Sequence, residues 1–211
     1  MKIAGLNLKY KGLPIRPTLN GVSFSWKHLI QYIYAYYDNY LLFGNWKFSL
    51  DYGLVYLCES STWNYYLPPL GVKGKRILDV GGGDGETAKY YLDHKAKSVH
   101  VIEKNLECEY YLNHNAQYHI FNLTYQINPF KINDSICEYI NNNYDLLKLD
   151  IEGYEMELIP YLDKLNIDIV LESHCGYITD RFIEKGFTEK VTNKQNNNIY
   201  GKLSHLYRWK K

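Results

Sequence analysis

The sequence predicts an α/β fold: a mostly parallel seven-stranded sheet with helices on both faces and a β-hairpin at the C-terminal end. Three observations predict it. From Arg76 onward, short runs rich in Ile, Leu and Val alternate with stretches of helical periodicity. The first run, Ile77-Leu78-Asp79-Val80, leads through the turn Gly81-Gly82-Gly83-Asp84-Gly85 into a helix-like stretch from Glu86. Near the end, two extended segments flank the polar loop Lys194-Gln195-Asn196-Asn197-Asn198.

In chain order, residues 1–25 carry Gly12, Pro14, Pro17 and Gly21 and read as an irregular or short-stranded arm. Trp26, Ile30, Ile33, Tyr37 and Leu41 recur at helical spacing, with Ser25 as a cap, so a helix is expected over 26–43. Tyr52–Cys58 reads as a second short element. Pro68-Pro69 and Gly71 then break the chain. Strands are expected at 76–80, 98–103, 118–122, 144–150 and 167–172, and helices at 86–94, 106–113, 134–141, 153–162 and 179–185. Segments 188–193 and 199–209 form the closing hairpin. Residues 1–75 are expected to be an N-terminal extension and helical cap, part of one unit with the ligand-binding domain at 76–211.

The chain has 211 residues, enough for one α/β domain with a full core. A formal net charge of +1 argues against a general polyanion-binding field. The four cysteines, Cys58, Cys108, Cys137 and Cys175, form no C-x-x-C pair and suit neither a zinc site nor a disulfide scaffold. Reduced thiols, no signal-peptide pattern at the start and no membrane-spanning run point to the cytoplasm. The most apolar candidate, Leu29–Phe43, is interrupted by Gln31, Asp38 and Asn39. Twenty-three tyrosines stand out, and the Tyr-rich N-terminal helix is a candidate homo-oligomer surface.

In a doubly wound sheet, ligands bind beyond the carboxyl ends of the strands. That places Gly81–Gly85, Glu103, Asn122, Asp150–Gly153 and Glu172–His174 around one crevice. The glycines let the chain turn tightly, and the helix behind them presents free N–H groups. Glu103, twenty residues beyond Gly83 at a strand end, can accept hydrogen bonds from ribose hydroxyls. The plain alternative is an exposed glutamate beside Lys104. Gly83-x-Gly85-x-x-Ala88 also fits the dinucleotide pattern, which leaves an NAD enzyme open. Alternation places Lys148, Asp150 and Glu152 on one side of an extended chain. Asp150 and His174 are candidate bases, and Glu152 can orient an acceptor or Lys148. If Asp150, Glu152, Glu172 and His174 converge, they offer ligands to a divalent cation, although no metal is the leading expectation.

The pattern Asp79-x-Gly81-x-Gly83-x-Gly85 resembles class I S-adenosylmethionine-dependent methyltransferases, whose sheet is the Rossmann-like sandwich described above. The resemblance implies that Gly81, Gly82, Gly83 and Gly85 wrap the cofactor's methionine part and that Asp79 orients its amino group. Glu103, Asn122 and Asp150 would complete the cofactor site. Lys148-x-Asp150-x-Glu152-Gly153-x-Glu155, followed by Glu172-Ser173-His174 and Gly186-Phe187, is similar to the FkbM family. This second resemblance spans residues 76–187 and implies O-methylation of a sugar or another small hydroxylated molecule. Lys148, Asp150, Glu152 and His174 would then carry the catalysis, with a small-molecule or glycan acceptor and no membrane partner. Asn128-Pro129-Phe130 resembles the N-P-P-Y motif of amino methyltransferases. It lacks the second proline and does not follow the fourth strand, so nucleic acid is disfavoured as an acceptor. The glycine turn also looks like that of spermidine synthases, which leaves an aminopropyltransferase as an alternative. A non-catalytic scaffold that binds the nucleoside cofactor is the other.

Overall fold

A computed structural model of the chain describes residues 2–3, 6–9, 16–19, 22–23, 40–119, 122–190 and 204–209. Short strands β1 (Lys2–Ile3), β2 (Leu6–Lys9), β3 (Arg16–Leu19) and β4 (Val22–Ser23) pair in sequence as an antiparallel sheet. Most of the expected helix at 26–43, and with it the candidate oligomer surface, lies outside the described residues. Its last four residues are not helical. Tyr40–Phe43 is strand β5, paired with β6 (Trp46–Ser49) across Gly44-Asn45. Gly44 there has φ +66°, the left-handed turn that glycine supplies without strain. Helix α1 (Leu50–Glu59) and a 3-10 segment, Ser60–Tyr66, follow.

The central sheet comprises β7 (Arg76–Val80), β8 (Ser98–Glu103), β9 (Leu123–Ile127), β10 (Leu146–Leu149), β11 (Asp168–Ser173), β12 (Thr188–Lys190) and β13 (Ser204–Arg208). Their order is β12-β13-β11-β10-β7-β8-β9. Strand β13 runs antiparallel to β11 and β12, and the other neighbouring pairs are parallel. The expected seven-stranded, mostly parallel sheet with its C-terminal hairpin is therefore present. Helices α2 (Glu86–Asp93), α3 (Glu109–Tyr118), α4 (Asp134–Asn143) and α5 (Gly176–Glu184) flank it, with a 3-10 segment at Tyr154–Lys164.

Period-two alternation divides the core. Ile77, Val99, Leu146 and Val170 face one layer, built with Trp46, Phe48, Trp63, Tyr66 and Tyr91. Leu78, Val80, Leu147, Leu149 and Leu171 face the other, with Ile140, Leu158, Leu162 and Phe182. Segment 40–66 thus shares a core with the sheet. Two expectations shift. The strand placed at 118–122 is β9 at 123–127, because helix α3 continues to Tyr118. The helix placed at 153–162, which contains Pro160, is a 3-10 segment.

The chain winds outward from β7 through β8 to β9, then returns to the opposite side of β7 as β10. The crevice therefore opens between the carboxyl ends of β7 and β10.

Candidate active site

A cavity of about 760 Å³ fills this crevice, large enough for a nucleoside-sized ligand. Gly81 and Gly83 form its floor, Glu103, Lys104 and Asn105 one side, and Asp150, Ile151 and Glu152 the other. Tyr52 and Glu86 close one end, and Asn128, Phe130 and Tyr154 the rim.

The glycine turn is dictated by close approach. Gly81 has φ +75°, and a Cβ there would stand 1.7 Å from the carbonyl oxygen of Asp150. Gly83 has φ +52°, and its Cβ would meet the Tyr52 ring at 2.6 Å. Both residues line the cavity. Gly82 and Gly85 serve the turn instead. The Gly85 N–H donates to the Gly82 carbonyl at 2.8 Å, and neither lines the cavity. The β6 segment braces the loop from outside: Ser49 N–H donates to Asp84 Oδ2 at 2.6 Å. Fully buried Asn115 donates to both the Lys47 and Asp84 carbonyls.

Glu103 lies on the wall as expected. Its Oε2 accepts from the Gly83 N–H at 3.0 Å, and its Oε1 from the N–H groups of Lys104 and Asn105, both at 2.8 Å. Carboxylate oxygens have further lone pairs, so Glu103 positions the turn and still has acceptor capacity towards the cavity.

Besides Gly82 and Gly85, the expected site residues Asn122, Asp79, Lys148 and His174 do not line the cavity. Asn122 precedes β9 and donates to the Lys97 carbonyl at the far end of the sheet; the residue beyond the carboxyl end of that strand is Asn128. Asp79 is fully buried. Its Oδ2 accepts from Thr87 Oγ1 at 2.6 Å, and its Oδ1 lies 3.1 Å from Lys148 Nζ. Lys148 is 1% exposed and donates to the Gly81 carbonyl at 2.9 Å. Asp79 and Lys148 sit opposite each other in the register of β7 and β10, and alternation turns both into the core. Neither reaches the cavity. Lys148, expected among the catalytic residues, contacts the Gly81 carbonyl, Asp79 and Asp150 instead of the cavity.

Asp150 does reach it. Burial pushes its carboxyl up to about 6, against the pull of Lys148, whose Nζ is 3.6 Å from Oδ2. His174 Nε2 lies 3.5 Å from Asp150 Oδ1 and 3.6 Å from Glu152 Oε2. On its other face, His174 Nδ1 is 3.6 Å from Glu155 Oε1. The Glu155 carboxylate is the main cause that raises His174 to about 9, with Asp150, Glu152 and Glu172 adding to it against burial. At neutral pH His174 is therefore an imidazolium. An imidazolium cannot accept a proton, so the expected role as a base does not suit His174 in this form.

Glu155 is fully buried and accepts the Ile151 N–H at 3.0 Å. It fastens the turn in which Glu152 (φ +55°) and Gly153 (φ +100°) leave the extended path. Glu172 is anchored to the 60–66 segment, accepting from Tyr66 Oη at 2.6 Å and lying 3.2 Å from His205 Nε2. Asp150, Glu152 and His174 each bring a ligand atom within 4.8 Å of the others, an arrangement that could take a divalent cation once His174 loses its proton.

Sequence reasoning missed Tyr52, Glu86 and Tyr154. Glu86 stands just behind the glycine turn, where an acidic residue is ordinary helix chemistry. Its special feature is burial: it is 7% exposed, and burial holds its carboxyl well above the usual carboxylate range.

No family model matches the chain. The ribosomal RNA small subunit methyltransferase A of Pelagibacter ubique (strain HTCC1062) is 25% identical over 146 residues, 66% of this chain and 50% of that protein. The chain thus spans about half the length of that relative. Precorrin-6y C5,15-methyltransferase from Geobacter metallireducens GS-15 is similar in structure, with TM-score 0.50 and 14% identity over 72% of this chain and 87% of that one. Ribosomal protein L11 methylase from Lactobacillus delbrueckii subsp. bulgaricus gives TM-score 0.48 and 21% identity, over 66% and 72%. The fold is that of the class I methyltransferases. The relative from Pelagibacter ubique is named for ribosomal RNA, which overturns the expectation of a small-molecule or glycan acceptor with nucleic acid disfavoured.

Proposed function

We propose that the chain is an S-adenosylmethionine-dependent methyltransferase that acts on a hydroxyl group carried by RNA. The observation that carries this reading is the juxtaposition of Gly81, Gly83 and Glu103 with the half-buried carboxylate of Asp150 across one cavity. The bare backbone at Gly81 and Gly83 suits the methionine end of the cofactor, and Glu103 suits its ribose. Bound there, the cofactor supplies an electrophilic methyl group on a sulfonium.

The chain's own work is alignment and proton removal. A hydroxyl nucleophile must lose a proton as it attacks, and Asp150, poised near pH 6, is the base that receives it. Lys148 and the His174 imidazolium flank its two oxygens and hold the carboxylate ionised. The Lys148–Glu155 segment resembles the FkbM family at this position, which favours oxygen as the methyl acceptor. The name of the relative from Pelagibacter ubique supports RNA as its carrier. The rim supports it too: Phe130 and exposed Tyr154 offer stacking surfaces, and the Lys104 ammonium lies 5.0 Å above the Tyr154 ring.

The test is incubation with methyl-labelled cofactor and RNA, followed by digestion to nucleosides. Label in ribose-methylated nucleosides is the expected result. Label on base nitrogens, or only in protein, would overturn the hydroxyl assignment.

A further inference from the structure

The resemblance assigns the cofactor's amino group to Asp79, but that carboxylate does not line the cavity. It is fully buried, accepts from Thr87 and is ion-paired with Lys148. A cationic ligand group therefore needs a different partner.

Glu86 is that partner by geometry. It is the first residue of α2, directly behind Gly85, which has φ +94°. It lines the cavity, and a Cβ on Gly83 would lie 2.9 Å from its Oε1, so the carboxylate packs against the turn. It is more than nine-tenths buried, and its Oε2 has no hydrogen-bond partner among the described residues. The cation in its electrostatic surroundings is Lys148, and Lys148 is engaged by Asp79, Asp150 and the Gly81 carbonyl. A buried carboxyl group with an unsatisfied oxygen costs free energy, and a ligand that supplies donors there recovers it.

We propose that Glu86 is the receptor for the α-ammonium group of the cofactor's methionine moiety. The glutamate makes the pocket select adenosyl ligands that carry an amino-acid ammonium over those that lack it. This inference rests on the cofactor reading above.

Calorimetric titration of the full chain separates the two. The probes are S-adenosylmethionine and 5′-methylthioadenosine, which keeps the nucleoside and lacks the amino-acid part. Glu86→Gln should weaken S-adenosylmethionine binding tenfold or more and leave methylthioadenosine within about twofold of wild type, which also shows that the variant is folded. On the wild-type chain, S-adenosylhomocysteine should bind at least tenfold more tightly than its des-amino analogue, a comparison that needs no variant. Equal affinities in that pair, or equal loss of both probes in Glu86→Gln, would overturn the role of Glu86. Failure of the wild-type chain to bind any adenosyl ligand would overturn the cofactor reading, and this inference with it.

Discussion

Asp150 is where composition becomes chemistry. Its carboxyl is buried enough to be pushed up to about 6, and the two cations beside it keep it from rising further. A base must be deprotonated to work, so kcat/KM should climb as pH rises through about 6 and level off above it. Asp150→Asn should remove that limb and lower kcat by roughly 10²–10⁴-fold, the usual span for a lost general base. A pH–rate profile of both proteins checks this; an unchanged acidic limb in the variant would assign it to another group. His174 shows why identity alone misleads. A histidine at a strand end reads as a base, but Glu155 beneath it and Asp150, Glu152 and Glu172 around it keep it protonated. Those neighbours come from the turn after β10 and from β11, and their convergence is a tertiary fact.

At the scale of elements, the turn between β7 and α2 was legible because close approach demands glycine in any sequence. Gly81 and Gly74 have nearly the same positive φ, +75° and +76°, but only Gly81 faces backbone; the space around a Gly74 Cβ is open. Gly74→Ala should therefore cost only the left-handed penalty, about 1–2 kcal/mol. Gly81→Ala adds a collision with Asp150 and should cost more than about 4 kcal/mol or abolish folding, since the obstacle is backbone. Urea titrations of the two variants measure the difference. Equal losses would show that the collision is relieved by movement of the strand ends.

The elements misread were those whose local signal competes with long-range pairing. Tyr40–Phe43 has helical spacing with the residues before it, but the Gly44-Asn45 turn lets it pair with Trp46–Ser49, and burial of Leu41, Trp46 and Phe48 rewards the hairpin. Around Tyr118, helix α3 runs on to satisfy its carbonyls. The strand begins only at Leu123, so Asn122 falls at the wrong end of the sheet.

Across the whole molecule, the site and the core share one buried ion pair. Lys148 joins β10 to Asp79 on β7, to the Gly81 carbonyl of the turn and to Asp150 at the cavity. Lys148→Met removes the positive charge and leaves Asp79 buried without it, which should cost about 3–5 kcal/mol. Pairing it with Asp79→Leu removes the stranded charge and should restore much of that stability without restoring ligand binding. Thermal melting and calorimetry together check this; a double variant no more stable than Lys148→Met would show that the pair's charge is not what matters.

The sequence by itself determined the layered α/β sheet, the glycine turn and the placing of Glu103 and Asp150 at strand ends. Each of these depends on alternation along one strand or on a residue type that local backbone geometry requires. Only the tertiary structure decided which carboxylates face the cavity. Asp79, Glu86, Asp150 and Glu155 are equally acidic on paper, and what separates them is the partner each meets. Lys148 takes up Asp79, the Ile151 N–H holds Glu155, and Glu86 and Asp150 are left facing the cavity. Electrostatic roles follow from distances across strands and turns, which no local pattern encodes.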